Sequence, residues 1–143
     1  MALSAQDQAK RRAVARDVML STPYIAGLDL EVEQWDETGV RVRMPFHERF
    51  TNDGSAYHGG AVAALVDTAG SAAVWAGHDF DKGARAATVS ITINYTGAAR
   101  GVDLIADGVC VKRGRDLHFS EIRVSDPDGK LVATGTLVYR MVP

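Results

Sequence analysis

The chain has 143 residues, of which 46% are hydrophobic and 24% are charged, a composition typical of one folded globular domain. The 16 basic and 18 acidic residues give a formal net charge of -2, so no overall positive charge favours nucleic acid or an anionic membrane. A single cysteine, Cys110, excludes an internal disulfide and fits a reducing, cytoplasmic setting. Residues 1–10 lack the apolar core of a signal peptide, and the longest apolar run, residues 61–66, is too short to span a bilayer.

Two helices and six strands are predicted in chain order. The first helix covers residues 4–20, has a modest apolar stripe of Ala9, Ala13 and Val14, and ends before Pro23. The second covers residues 61–76, is apolar on nearly all sides and is therefore expected to be wrapped by protein. Alternating apolar and polar residues predict strands at 28–33, 40–44, 88–95, 104–112, 117–125 and 131–141.

This order predicts an α+β fold in which one central helix lies across one largely antiparallel sheet. Residues 1–24 are interpreted as an N-terminal helical extension, and residues 25–143 as a single domain.

Asp67 is the only charged residue between His58 and Gly77. An ionised carboxylate on an apolar helix is costly unless it has a partner or water nearby, which indicates a functional role. The alternative is that Asp67 lies on a narrow solvent-facing strip of the helix, and from the residue alone the two readings are equally plausible.

His58, Gly59 and Gly60 immediately precede the apolar run of this helix. Glycines at a helix start let a ligand approach the backbone, and the unpaired first N–H groups suit a developing negative charge. An ordinary glycine-rich entry turn is the simpler explanation of this tripeptide on its own.

Helix geometry relates these two features. Nine positions separate His58 from Asp67, or about 13 Å along a helix, and they place the two side chains on opposite faces. One chain therefore cannot bring both to the same reacting group, whereas two antiparallel helices around a two-fold axis could form two identical composite sites.

The run from Asn52 through His58-Gly59-Gly60 to Asp67, continuing to Ala69, resembles the active-site sequence of hotdog-fold acyl-CoA thioesterases of the phenylacetate-degradation (PaaI-like) type. The strand 88–95 and the segments 112–115 and 128–133 are also similar to that family, so that the resemblance covers about residues 28–139.

The resemblance implies a long helix wrapped by a curved antiparallel sheet, a homodimer with a continuous sheet, and often a dimer of dimers, that is, a homotetramer. It also implies hydrolysis of acyl-CoA to free acid and coenzyme A, with Asp67 as general base or nucleophile. The Gly59 or Gly60 amide and Asn52 would polarise the thioester carbonyl, although Asn52 taken alone is better explained as a turn residue of the Asn-Asp-Gly sequence. His58 would hold the turn or the sulfur leaving group, and Thr88 would position the water.

A basic cluster is expected to bind the coenzyme A phosphates, as basic side chains at the rim of a site commonly do. It comprises Lys112, Arg113 and Arg115 at a hairpin end, and Arg100 in another loop. A solvated hairpin tip is an equally good explanation of each residue singly.

No metal or redox cofactor is expected, because His47, His78 and His118 show no metal-ligand spacing and coenzyme A is part of the substrate. Two alternatives to hydrolysis stay open. One is a hotdog hydratase or dehydratase of acyl thioesters, and the other is a non-catalytic acyl-CoA-binding module. The sequence does not indicate whether the acyl group of the substrate is aryl, short-chain or medium-chain.

Overall fold

The computed structural model describes residues 1–143 and has three α-helices and six strands. The helices are α1 (Ala5–Ser21), α2 (Pro23–Ala26) and α3 (Gly59–Ala76). The strands are β1 (Glu31–Asp36), β2 (Gly39–Met44), β3 (Arg85–Tyr95), β4 (Leu104–Arg113), β5 (Leu117–Ser125) and β6 (Leu131–Val142). The predicted order of elements is confirmed, although α3 begins at Gly59 rather than Ala61, and Pro23 opens the short helix α2.

All six strands form one antiparallel sheet in the order β1-β2-β4-β5-β6-β3. The helix α3 lies against this sheet, and eight of its ten buried residues belong to the hydrophobic core. A long central helix covered by one antiparallel sheet is the hotdog architecture, which confirms the predicted fold class.

Glycines in two strands let α3 approach the sheet closely. A Cβ on Gly108 of β4 would lie 2.7 Å from the carbonyl oxygen of Ala69, and one on Gly135 of β6 would lie 2.6 Å from a methyl of Val66. Glycine within a strand commonly marks such a close backbone approach. These two positions set the distance between the helix and the sheet.

One stripe of α3 is not fully buried, and it follows the helical spacing of three or four residues. Its members are Gly60, Ala63, Ala64, Asp67, Ser71 and Trp75. By length and composition alone α3 could cross a membrane, but more than half of it is buried inside the fold, as is usual for the core helix of a globular domain.

The N-terminal helix α1 is attached to the end of α3 by polar contacts. The Gln8 side-chain amide donates to Asp79, its oxygen accepts from the Phe80 N–H, and Arg12 donates to the carbonyl of His78. Only Met19 of α1 is buried, whereas Ala9 and Val14 of the predicted apolar stripe are exposed. Polar groups and Met19, rather than that stripe, therefore hold α1 in place.

The strand β3 is an edge of the sheet and is exposed along nearly its whole length. Val89 is 55% exposed, Ile91 38% and Tyr95 55%, although the alternating pattern of the strand predicts that these residues face inward. No strand of this chain pairs with the outer edge of β3, and these side chains stay uncovered within the chain. An edge with unpaired backbone groups and apolar side chains is a template for pairing with another chain.

Candidate active site

Asp67 lies on the partly exposed stripe of α3, where its carboxylate faces β3. The Thr88 hydroxyl donates a hydrogen bond of 2.7 Å to Asp67 Oδ1. The position on the stripe agrees with the solvent-facing alternative considered above, but the carboxylate has a specific hydroxyl partner. The helix runs unbroken through Asp67, which was the condition for the composite-site geometry.

A bulge in β3 positions Thr88 beside Asp67. The pairing of β3 with β6 shifts between Thr88, opposite Tyr139, and Ser90, opposite Val138, so that Val89 is the extra residue. A bulge breaks the strict alternation of side chains and re-aims the residues next to it, and bulges are common at active sites.

Tyr139 and Trp75 form a polar pair next to Thr88. The indole N–H of Trp75 donates a 2.9 Å hydrogen bond to the Tyr139 hydroxyl. Burial raises the pKa of Tyr139, the bond from Trp75 opposes this, and the negative charge of Asp67 raises the pKa further. Tyr139 is therefore a neutral hydroxyl at neutral pH, next to the Asp67 carboxylate.

The start of α3 is capped by His58. Its Nδ1 accepts a 2.8 Å hydrogen bond from the N–H of Gly60, so the amide of Gly60 is already occupied. The N–H of Gly59 makes no hydrogen bond within the chain. Of the two glycines predicted for the oxyanion hole, only Gly59 therefore offers a free donor.

The loop before the helix leaves the Asn52 side chain free. Asp53, not Asn52, forms the turn, because its carboxylate accepts from the N–H groups of Ser55 and Ala56. These two bonds, followed by that from Arg100, lower the pKa of Asp53. The exposed side-chain amide of Asn52 makes no hydrogen bond in the chain, so the turn role that the Asn-Asp-Gly sequence suggests for its side chain belongs to Asp53.

Tyr95 is a candidate site residue that sequence reasoning missed. Its hydroxyl donates a 2.9 Å hydrogen bond to the Gly59 carbonyl oxygen. With Gly59, Val62 and Tyr57 it lines a cavity of about 400 Å³ at the helix start. The only signal in the sequence was an aromatic residue at the last alternating position of β3.

Asp67 and Gly59 lie apart within one chain. Eight helical steps separate them, which corresponds to about 12 Å along α3. A single chain therefore presents an acid with a positioned hydroxyl in the middle of the helix, and a free amide donor with Asn52 at the helix start.

The four predicted basic residues occupy two different places. Arg100 pairs with Asp53 at 3.3 Å near the start of α3, whereas the others lie at the end of β4, near the other end of α3. Arg113 donates to the carbonyl oxygens of Ala73 and Val74 and so caps the C-terminus of α3. Lys112 is exposed, and Arg115 is 93% exposed and paired with Asp116 at 3.4 Å.

The remaining candidates have structural positions. Cys110 is partly buried in β4, and Trp35 and Trp75 both pack against the core. His78 and His118 are buried near each other, with ring centroids 6.4 Å apart. No group of three or more His, Cys, Asp or Glu residues is arranged to hold a metal ion.

Comparisons with known proteins place this chain in a family. The model of the thioesterase superfamily matches residues 54–133, which include His58, Asp67 and Thr88. A predicted esterase of Halobacterium salinarum is 39% identical over 103 residues, covering 70% of this chain and 68% of the relative. Acyl-coenzyme A thioesterase 13 of Mus musculus is 30% identical over 94 residues, covering 64% of this chain and 65% of the mouse protein.

A solved structure has the same fold. It is a hypothetical thioesterase of Streptococcus pneumoniae with coenzyme A, with a TM-score of 0.73 and 22% identity, covering 89% of this chain and 95% of the other. From the family match, the relatives and the shared architecture, we conclude that this chain belongs to the thioesterase superfamily.

Proposed function

We propose that this protein hydrolyses acyl-CoA thioesters to a free acid and coenzyme A, at a site composed of two protomers. Family membership and the esterase and thioesterase relatives support thioester hydrolysis in general. Two further observations favour acyl-CoA as the thioester: the mouse relative is named an acyl-coenzyme A thioesterase, and the S. pneumoniae structure contains coenzyme A.

In the proposed mechanism the thioester carbonyl accepts hydrogen bonds from the free Gly59 N–H and the Asn52 amide of one protomer. These donors stabilise the negative charge that develops on the carbonyl oxygen. His58 keeps the turn in place by occupying the Gly60 N–H.

Asp67 and Thr88 of the second protomer hold the attacking water. The water oxygen forms a bond to the carbonyl carbon while Asp67 accepts a water proton. The C–S bond then breaks, the sulfur receives the proton, and the products are the acid and the free thiol. In the alternative role, an Asp67 oxygen forms a bond to the carbonyl carbon, the C–S bond breaks, and coenzyme A leaves as the thiolate. Water then hydrolyses the mixed anhydride, which releases the acid and restores the Asp67 carboxylate.

The dimer is supported by the exposed edge of β3 and by the stripe of α3 beside it. Gly60, Ala63 and Ala64 on this stripe are small, so a second helix could approach α3 closely. An antiparallel pairing of two copies would bring Asp67 of one chain towards Gly59 of the other, twice, in an isologous dimer. Assembly of two dimers into a tetramer is part of the same proposal.

The same antiparallel arrangement would combine the separated basic residues. Arg100 lies near the start of α3 and Arg115 near its end, and a helix of this length spans about 26 Å. In the proposed dimer Arg100 of one chain and Lys112 and Arg115 of the other would approach the same coenzyme A phosphates. Arg113 has a structural role as a helix cap and is the least suited of the four.

The hydrogen bond between Thr88 and Asp67 is the single observation that best supports this proposal, because it gives a lone acid on an apolar helix a defined orientation. The variant Asp67→Asn keeps the shape of the side chain but cannot accept the water proton. We expect kcat in a thiol-release assay to fall by about 10²–10⁴-fold. Asp17→Asn, on the exposed face of α1, is the matched control and should leave kcat unchanged.

Full hydrolysis by a folded Asp67→Asn protein would reject the assigned role. Thiol release combined with two further measurements separates the alternatives to hydrolysis. Loss of the double bond of an enoyl-CoA without release of thiol would indicate a hydratase. Binding of coenzyme A without release of thiol across a broad acyl panel would indicate a binding module.

A further inference from the structure

A second cavity lies between α1, the C-terminal half of α3 and β6, with a volume of about 510 Å³. Nine of its 12 lining residues are hydrophobic. The main contributors are Val14, Val18 and Met19 of α1, Ser71 and Trp75 of α3, and Tyr139 of β6. Its volume is within the range of about 300–1,000 Å³ that is usual for small-molecule sites.

This α1 cavity adjoins the proposed catalytic acid. Ser71 follows Asp67 by one helical turn on the same stripe of α3. Tyr139 is the register partner of Thr88, whose hydroxyl binds Asp67. Asp67 itself does not line the cavity, but two lining residues, Ser71 and Tyr139, are neighbours of Asp67 and of its hydroxyl partner. The cavity therefore begins next to the carboxylate that is proposed to activate water.

Two valines of α1 form an uncovered wall of this cavity. Val14 is 59% exposed and Val18 is 55% exposed, and they are one helical turn apart. Apolar side chains that stay uncovered in a cavity wall offer surface that an apolar ligand would bury. The only charged residue of the lining is Arg11.

We propose that the α1 cavity receives an uncharged, apolar acyl group of the substrate, and that α1 thereby determines which acyl lengths are accepted. This inference rests on the proposed thioesterase function. The acyl group is joined to the reacting carbonyl, so its binding site must be next to the catalytic acid. Each methylene buried in the cavity would raise kcat/KM by at most about fourfold.

Filling the cavity from the α1 side tests the inference. Val18→Trp places a larger side chain into the cavity from a position that is not part of the core. We expect it to lower kcat/KM for decanoyl-CoA by about tenfold or more while changing kcat/KM for acetyl-CoA less than about twofold. Asp17→Trp is the matched control, since Asp17 is in the same turn of α1 but does not line the cavity.

A binding measurement makes the test independent of turnover. The chain has two tryptophans, and Trp75 lines the α1 cavity whereas Trp35 does not. In a Trp35→Phe protein, the thioether S-decyl-coenzyme A, which cannot be hydrolysed, should change the emission of Trp75. S-methyl-coenzyme A should bind without that change.

The outcomes separate the two proposals. If the wild-type protein releases thiol from no acyl-CoA, the proposed function fails. Independently of turnover, an unchanged Trp75 emission when S-decyl-coenzyme A is bound overturns the cavity assignment. If the wild-type protein hydrolyses acyl-CoA but Val18→Trp lowers kcat/KM equally for all acyl lengths, or for none of them, the cavity assignment is wrong and the function stands. A preference for acyl groups ending in a carboxylate would also overturn it and would instead point to Arg11.

Discussion

Gly59 and Gly60 are neighbours at the start of α3, but their backbone amides have different tasks. The Gly60 N–H is bound by His58, whereas the Gly59 N–H is free to bind a ligand. The two glycines also differ in the space that an added side chain would find. A Cβ on Gly59 would meet only the Tyr95 ring at 3.5 Å, whereas a Cβ on Gly60 would lie 2.9 Å from His58 Nδ1.

Alanine substitutions should separate these two roles. Gly59→Ala should fold normally, because 3.5 Å is an ordinary contact and alanine favours a helix, but its methyl group narrows the approach to the free amide. We expect a loss of at least about tenfold in kcat/KM with an unchanged or higher Tm. Gly60→Ala should lower Tm because it displaces the His58 cap. Full activity of Gly59→Ala would contradict the role of its amide.

Some residues of the site were predictable and others were not. Asp67 was singled out as a candidate because a lone charge in an apolar helix is costly, and the resemblance indicated Thr88 as its partner, which its hydrogen bond to Asp67 agrees with. Which of Gly59 and Gly60 keeps a free N–H was not predictable, because this depends on which of the two N–H groups donates to His58 Nδ1. Tyr95 was missed, since a hydrogen bond to a residue 36 positions earlier leaves no local pattern in the sequence.

At the scale of secondary-structure elements, the C-terminal end of α3 is stabilised by groups from several elements. Arg113 at the end of β4 donates to the carbonyls of Ala73 and Val74, where a positive charge also favours the helix dipole. His78, just after the helix, and His118 of β5 are buried beside it. This end of the helix is therefore a structural cluster, distinct from the proposed catalytic residues.

The basic residues of the β4–β5 hairpin should fall into two groups when they are replaced. Arg113→Met should destabilise the protein by about 1–2 kcal/mol, because two helix carbonyls lose a charged donor. Arg115→Met should leave the free energy of unfolding unchanged but raise KM for acyl-CoA. Urea unfolding and steady-state kinetics of both variants check this pair. A stable Arg113→Met protein with a raised KM would reverse the assignment.

The buried histidines should make stability depend on pH. Burial is the main cause that lowers the pKa of both His78 and His118 below the ordinary value of 6.5, and the nearby Arg113 lowers both further. The unfolded chain therefore binds more protons than the folded chain as the pH falls below 6.5. The contribution of the two uncharged imidazoles to the free energy of unfolding is complete above pH 6.5, and it is lost as the pH falls through their lowered pKa values.

Urea unfolding at pH 7.5 and 5.5 measures this effect. The wild-type protein should have the lower free energy of unfolding at pH 5.5, and the difference should shrink in His118→Phe, which cannot be protonated. Equal or greater stability of the wild-type protein at pH 5.5 would show that the two imidazoles do not control acid stability.

The secondary-structure elements themselves followed from local patterns. Alternation of apolar and polar residues located the strands to within three residues, with β1 at Glu31–Asp36 rather than at residues 28–33. An apolar run located α3, because burial on all faces of a helix leaves such a run. The order of strands in the sheet and the bulge at Val89 did not follow, since both depend on pairing between distant segments. The attachment of α1 did not follow from its apolar stripe either, because it depends on polar contacts of Gln8 and Arg12 with residues far along the chain.

At the scale of the whole molecule, the proposed chemistry requires two copies of the chain. The proposed site has two halves, which α3 keeps about 12 Å apart within one protomer. One half is Asp67 with Thr88, and the other is Gly59 with Asn52. The uncovered edge of β3 and the small residues on the exposed stripe of α3 provide the surface through which a second copy would bind. The central claim is therefore that each active site combines residues of both chains.

Mixing two inactive variants tests this claim most directly. One variant carries Asp67→Asn, and the other carries Asn52→Ala together with Gly59→Ala. After the two are co-refolded in equal amounts, half of the dimers are mixed, and each mixed dimer has one intact composite site. We therefore expect thiol release to return to about a quarter of the wild-type rate. A mixture that stays as inactive as its two components would contradict a site shared between protomers.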